Sequence, residues 1–258
     1  MFSLQTLLVK IHESTTIDFG DLFNESVSLF KKVWVQGLIL QLLTGIIMLP
    51  VLMGFYIPYF KLVLNMSSNG VVDSPDYITE LISSYGISDL LWLYLFLFVV
   101  SLISYILYLG FFRVIRQIDQ GEVFIFSELF YFFKSSSIRK SLSIGVTCVM
   151  INIIAALLCF LPLLYVIVPI MYLLPVYAYN SKLSISEIVK ISFAFGNKKW
   201  GITFLTLLLN AMLIYVVSLV TCGLGGIFVS CFIYLPQYII YKNVIGFETP
   251  ESAPQTIV

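Results

Sequence analysis

Residues 200–241 read WGITFLTLLLNAMLIYVVSLVTCGLGGIFVSCFIYLPQYIIY, 42 positions without an Asp, Glu, Lys, Arg or His. A bilayer's hydrocarbon core is about 30 Å thick, so a helical crossing takes about 20 apolar residues at about 1.5 Å each. The run is long enough for two crossings. Its natural break is Cys222-Gly223-Leu224-Gly225-Gly226, where glycines permit a tight turn. The polar alternation of a barrel strand is missing, and the segment is apolar on every face, so it reads as helix.

Working outward, three more uncharged runs set the count. Ser141 to Ser181 spans 41 residues and fits two crossings turning at Pro162, while Val33 to Phe60 (28 residues) and Leu90 to Phe112 (23 residues) each fit one. Six crossings result. Composition agrees: of 258 residues, 60% are hydrophobic and 11% charged, against roughly 45–50% and about 25% in a soluble domain. Mean hydropathy is +1.01. The formal net charge of +0 supplies no surface for phosphate backbones, so nucleic acid is not an expected partner. The expected partners are the lipid bilayer and other membrane proteins.

Thirteen of the 14 Lys and Arg residues fall on one side of the six-crossing topology, leaving only Lys61 on the other. By the positive-inside rule this predicts that both termini are cytoplasmic. Met1 to Ile17 shows no cleavable leader, so an uncleaved N-terminus is expected.

A short pattern recurs ahead of crossings one, three and five: Phe19-Gly20-Asp21-Leu22-Phe23, Phe126-Ser127-Glu128-Leu129-Phe130 and Ile185-Ser186-Glu187-Ile188-Val189. Lys31-Lys32, Arg139-Lys140 and Lys198-Lys199 follow at nearly constant distance. An acid at the start and a basic pair at the end suit the helix dipole, and Ser184 with Glu187 has capping-box spacing. The fold expected is therefore all-α: a polytopic bundle of six transmembrane helices in three hairpins, each preceded by a cytoplasmic interfacial helix. Its repeats run about 18–112, 122–180 and 183–242 within a membrane domain of residues 1–243, and residues 244–258 form a disordered polar tail. The loop from Lys61 to Asp89 is expected to hold a short amphipathic helix around Tyr77 to Ser84.

The chemistry is mostly exclusion. No Asp, Glu, Lys, Arg or His falls within a predicted crossing, which disfavours an ion-coupled pump or a paired-aspartate protease, since such charges cost about 2.5–3.5 kcal/mol each and persist where they serve those tasks. One histidine, His12, cannot form a multi-histidine metal centre. Cys148, Cys159, Cys222 and Cys231 lack CxxC spacing and read as small buried residues, though Cys159 and Cys222 are placed to pair near the outer face. No catalytic, cofactor or metal residue is expected. Candidate polar lining comes from Gln41, Asn152 and Asn210, with interhelical hydrogen bonding as the simpler role. The function expected is a non-enzymatic scaffold, assembly partner or membrane-organising subunit, and the alternative is a transporter or lipid-handling protein with a path between the repeats.

Asp18-Phe19-Gly20-Asp21-Leu22-Phe23 with Leu29-Phe30-Lys31-Lys32, Gly121-Glu122-Val123-Phe124 before Ser127-Glu128-Leu129-Phe130, and Ile191 to Gly201 followed by Cys222 to Gly226 and Tyr234-Leu235-Pro236 carry a resemblance. From Asp18 to Lys242 the chain resembles an uncharacterised bacterial six-helix membrane family related to the membrane domain of glycerophosphodiester phosphodiesterases. That resemblance implies a six-helix bundle and no catalytic residue, and the phosphodiesterase domain of some relatives is not expected here.

Overall fold

The computed structural model describes residues 3–69, 87–158 and 161–247. Helix α1, Leu4–Glu13, begins where the Ser3 side chain accepts the Thr6 amide N–H, and it buries Leu7 and Ile11. It was not expected from the sequence. Helix α2, Phe19–Asn69, runs 51 residues, with the Asp18 carboxylate accepting the Asp21 N–H at its start. The first surface segment and first crossing are thus one rod, because Leu29-Phe30-Lys31-Lys32-Val33 contains no Gly or Pro to interrupt it.

Helix α3, Ile87–Asp119, continues past Phe112, the expected end of the second crossing, and carries Arg113, Arg116 and Asp119 on its last turns. A 3-10 segment, Phe126–Phe133, precedes α4, Ser135–Leu157. Then come α5, Leu161–Tyr179, and α6, Ile185–Lys198. Helix α7, Trp200–Val220, turns through Cys222 and Gly223, both at positive φ (52° and 93°), into α8, Leu224–Val229. A second 3-10 turn, Ser230–Tyr234, joins α8 to α9, Leu235–Val244.

All elements among the described residues are helical, and six stretches are long and apolar enough to cross a membrane: Phe19–Gly54, Leu91–Asp119, Ser136–Leu157, Pro162–Tyr179, Trp200–Val220 and Leu224–Val244. Pro162, the expected marker of a turn, occupies the first turn of α5, where a missing N–H costs nothing. The three recurring segments differ in form: a continuation of α2, a 3-10 segment, and the separate helix α6. The expected helix around Tyr77 to Ser84 lies outside the described residues.

The chain divides into two units, Met1–Gln41 with Ile106–Val258, and Leu42–Tyr105. In the second, Val51 and Val100 are buried while Ile46, Met53, Leu91 and Trp92 are exposed, the apolar exterior that lipid requires. In the first, α5 is central and touches α4, α6, α7 and α9, while α6 also rests on α1. Gly196 of α6 faces Pro169 of α5 so closely that a Cβ there would lie 2.5 Å from the proline Cα.

Tyrosine fills much of this core. Tyr172, Tyr177, Tyr238 and Tyr241 are among the largest fully buried side chains. Each hydroxyl has a partner: Tyr172 with Thr203 at 2.6 Å, Tyr177 with Ser141 at 3.1 Å, Tyr238 donating to Asp119 at 2.8 Å, and Tyr241 accepting from Asn180 at 2.7 Å. Aromatic content therefore supplies an interior as well as a lipid-facing surface.

Residues 244–247 depart from the expected disordered tail. Ile245 is 2% exposed, and the Phe247 ring packs against Tyr179, Tyr238 and Tyr241. Two apolar side chains there have a core to join.

Candidate functional site

The last turns of α3 build the site. Arg113, Arg116 and Asp119 stand three apart and so share one side of the helix. Gly110, one turn earlier, allows the 3-10 segment against α3; a Cβ would lie 2.1 Å from the Leu129 carbonyl oxygen. That approach brings Glu128 to Arg113, whose Nε donates to the carboxylate at 2.8 Å. The Arg113 guanidinium also lies 3.7 Å from the centre of the Tyr131 ring.

Asp119 has two donors, Tyr238 at 2.8 Å and Lys242 at 2.6 Å, which tie α3 to α9. Tyr179 donates to the Phe112 carbonyl at 2.6 Å and ties α3 to α5. Arg116 sits between these links and differs from them. Its guanidinium lies 4.4 Å from the Phe247 ring centre, its Nε is buried without a hydrogen-bond partner, and it pairs with no carboxylate among the described residues.

A cavity of about 240 Å³ opens beside it, lined by Arg113, Arg116 and Gln117 of α3, by Gln120 in the turn that follows, and by Tyr179 and Ser181 opposite. Glu122 completes the rim and bonds neither arginine. The buried Oε1 of Gln117 likewise has no partner. The chain then leaves through Val123, Ile125 and Phe126, which are 83%, 54% and 50% exposed.

Lysines knit the surrounding elements together by donating to backbone carbonyls. Lys140 reaches Ser181 and Leu183, Lys199 reaches Thr15, and Lys10 reaches Ile245 at 2.7 Å. Burial, with Lys198 beside it, pushes the Lys199 ammonium below the usual lysine range. At the start of α6, Ser184 and Glu187 form the expected capping box. The Ser184 hydroxyl and N–H both donate to Glu187, holding its carboxyl below the usual carboxylate range.

The three sequence-predicted polar residues do not line this cavity. Asn152 donates to the Cys148 carbonyl of its own helix at 2.9 Å, a bond within one helix and not the interhelical one expected as its simpler role. Asn210 is 4% exposed, on the same buried face of α7 as Thr203 and Thr206, and its Nδ2 has no partner. Gln41 of α2 is half-buried. A second cavity, about 530 Å³ and lined by Glu13, Asp18, Asp21 and Glu25 with Lys10 and Asn243, also excludes them. Cys222 is an exposed free thiol, and Cys159 lies outside the described residues.

Sequence reading counted Arg113 and Arg116 only toward charge asymmetry. The available signal was their spacing directly after an uncharged run, which continues a helix face. Fold and site together define a polytopic helical membrane protein with an arginine-lined pocket at the basic end of its bundle. Comparison with family models, curated proteins and solved structures gave no match, so the reading of this site rests on its geometry.

Proposed function

We propose that the chain is a non-enzymatic scaffold or assembly subunit of a bacterial cytoplasmic membrane, multi-pass, with both termini cytoplasmic. In this reading its six crossings form three hairpins, as in the six-helix family that the sequence resembles. The observation that carries it is the construction of the basic end. Helices α1 and α6 are fastened to the crossings through the Lys199 to Thr15, Lys10 to Ile245 and Lys140 to Leu183 bonds. Such cross-ties suit a fixed platform for a partner better than a moving gate. Exposed Lys31, Lys32, Lys190 and Lys198 give that platform a cationic outer surface.

Purification in mild detergent followed by mass spectrometry tests this reading. A stoichiometric partner should be retained by the wild type and lost by the Lys190→Glu/Lys198→Glu variant. Recovery of the protein alone, with lipid in a cavity between the crossings, overturns it.

The second reading, lipid handling or transport, is favoured by Asn210, whose buried and unpartnered amide suits a polar path. Asn210→Leu should abolish such activity, whereas a scaffold should keep its partner.

A further inference from the structure

We propose that the pocket beside Arg116 is a binding site for a phosphate group, filled in the membrane by a phospholipid headgroup. A guanidinium withdrawn from water without a counter-ion is a costly arrangement, and an anion relieves it. Arg116 bears part of that cost: the residue is half-buried, its Nε is shielded without a partner, its ring neighbour Phe247 offers only a π face, and Asp119, the carboxylate one turn away, is engaged by Tyr238 and Lys242.

The neighbouring groups suit three anionic oxygens. Glu128 engages the Nε of Arg113, which leaves the terminal nitrogens of that guanidinium to donate. The buried Oε1 of Gln117 has no partner, and a half-turn about the last side-chain bond presents Nε2 in its place. Ser181 lines the wall opposite α3 and brings a hydroxyl-bearing side chain to that stretch. Glu122 is the one opposing charge in the cavity. It is exposed at the rim and free to turn outward.

Size and height select the ligand class. A cavity of about 240 Å³ is smaller than the roughly 300–1,000 Å³ of drug-sized sites and suits a small head group. The crossing that carries the arginines spans 29 residues, Leu91–Asp119, against the about 20 that hydrocarbon requires, so its charged last turns project into the headgroup layer. Directly after Glu122, exposed Val123, Ile125 and Phe126 are the kind of residues that enter the acyl boundary. Basic pockets between membrane helices hold lipid head groups by this chemistry. The inference rests on the membrane crossing alone and stands under either functional reading above.

The test is native mass spectrometry of the full chain in detergent, with phosphatidylglycerol, diacylglycerol of the same acyl chains, or inorganic phosphate added. Phosphatidylglycerol should be retained and diacylglycerol should not. Apparent affinity should fall about tenfold or more in Arg116→Gln and rise in Glu122→Gln. Inorganic phosphate that follows this dependence, with phosphatidylglycerol indifferent to both substitutions, would overturn the lipid assignment and give the pocket to a soluble phosphate. Binding of both ligands unchanged in Arg116→Gln, or diacylglycerol held as firmly as phosphatidylglycerol, overturns the phosphate site itself. If Arg116→Gln does not fold, Glu122→Gln carries the test, and unaltered retention of both ligands in that variant is the overturning result.

Discussion

The indole N–H of Trp200 donates to the carbonyl oxygen of Tyr165, 3.1 Å away. Four residues after Tyr165 stands Pro169, which has no N–H to give that carbonyl its helical bond. Tryptophan at the first position of α7 repairs a gap that proline opens in α5, as membrane helices with internal proline require. Trp200→Phe should therefore cost about 1 kcal/mol of stability in detergent. The same change should cost distinctly less beside Pro169→Ala, where the alanine N–H bonds Tyr165. Chemical denaturation of the four proteins measures the coupling, and equal costs in both backgrounds would remove the explanation.

The contact between Gly196 and Pro169 makes a second prediction. Gly196→Ala inserts a methyl group at 2.5 Å from the proline Cα and should destabilise by about 1–3 kcal/mol. Gly201→Ala, with nothing within 4 Å of the new Cβ, should be neutral or stabilising by up to about 1 kcal/mol in the helix α7. Thermal unfolding of both variants ranks them, and the reverse order would show that α5 and α6 are not this close.

Asp119 joins α3 to α9 through one oxygen, which receives both Tyr238 and Lys242. Asp119→Asn should cost about 1–2 kcal/mol, given that the lysine partner is 42% exposed. Tyr238→Phe should add little beside Asp119→Ala, which takes away the accepting oxygen altogether, because the two changes then remove one shared bond. Full additivity in a denaturation cycle would contradict the geometry.

Stability should depend on pH through the cap of α6. The folded-state pKa of Glu187 is depressed by its bonds with Ser184. Its contribution is therefore present above the ordinary carboxylate pKa of about 4.3 and is lost as pH falls through the folded value. Glu187→Gln should flatten the acid limb of the stability profile between pH 5 and pH 3 (about that window). Ser184→Ala should cost about 0.5–2 kcal/mol at neutral pH as an ordinary cap loss. An acid limb identical in wild type and Glu187→Gln would place the pH dependence elsewhere.

Hydrophobic run lengths were enough to locate six crossings and the turn between Val220 and Leu224, since lipid allows few other uses for 42 uncharged residues. The same criterion hid the site. It ends a crossing at the first charge, so Arg113 was placed in a linker, although backbone hydrogen bonding continues the helix to Asp119. Leu4, Leu7, Leu8 and Ile11 have the spacing of one helix face, and Ser3 caps it, but at 10 residues α1 is too short to stand out as a crossing. The capping box at Ser184 was legible because it is local in sequence. Links such as Tyr238 to Asp119, 119 residues apart, leave no local trace.

Helix α1 has an awkward place in biogenesis. It is made before the other described helices, yet Lys10 bonds the carbonyl of Ile245, 235 residues later, and Lys199 meets Thr15 across 184. At roughly 5–20 residues per second, α1 waits about 12–47 s for the last of these partners to be synthesised. Leu7 and Ile11 gain native cover earlier, when α6, the helix that α1 rests on, has been made; until then the nascent chain offers an apolar helix face to chaperones and proteases.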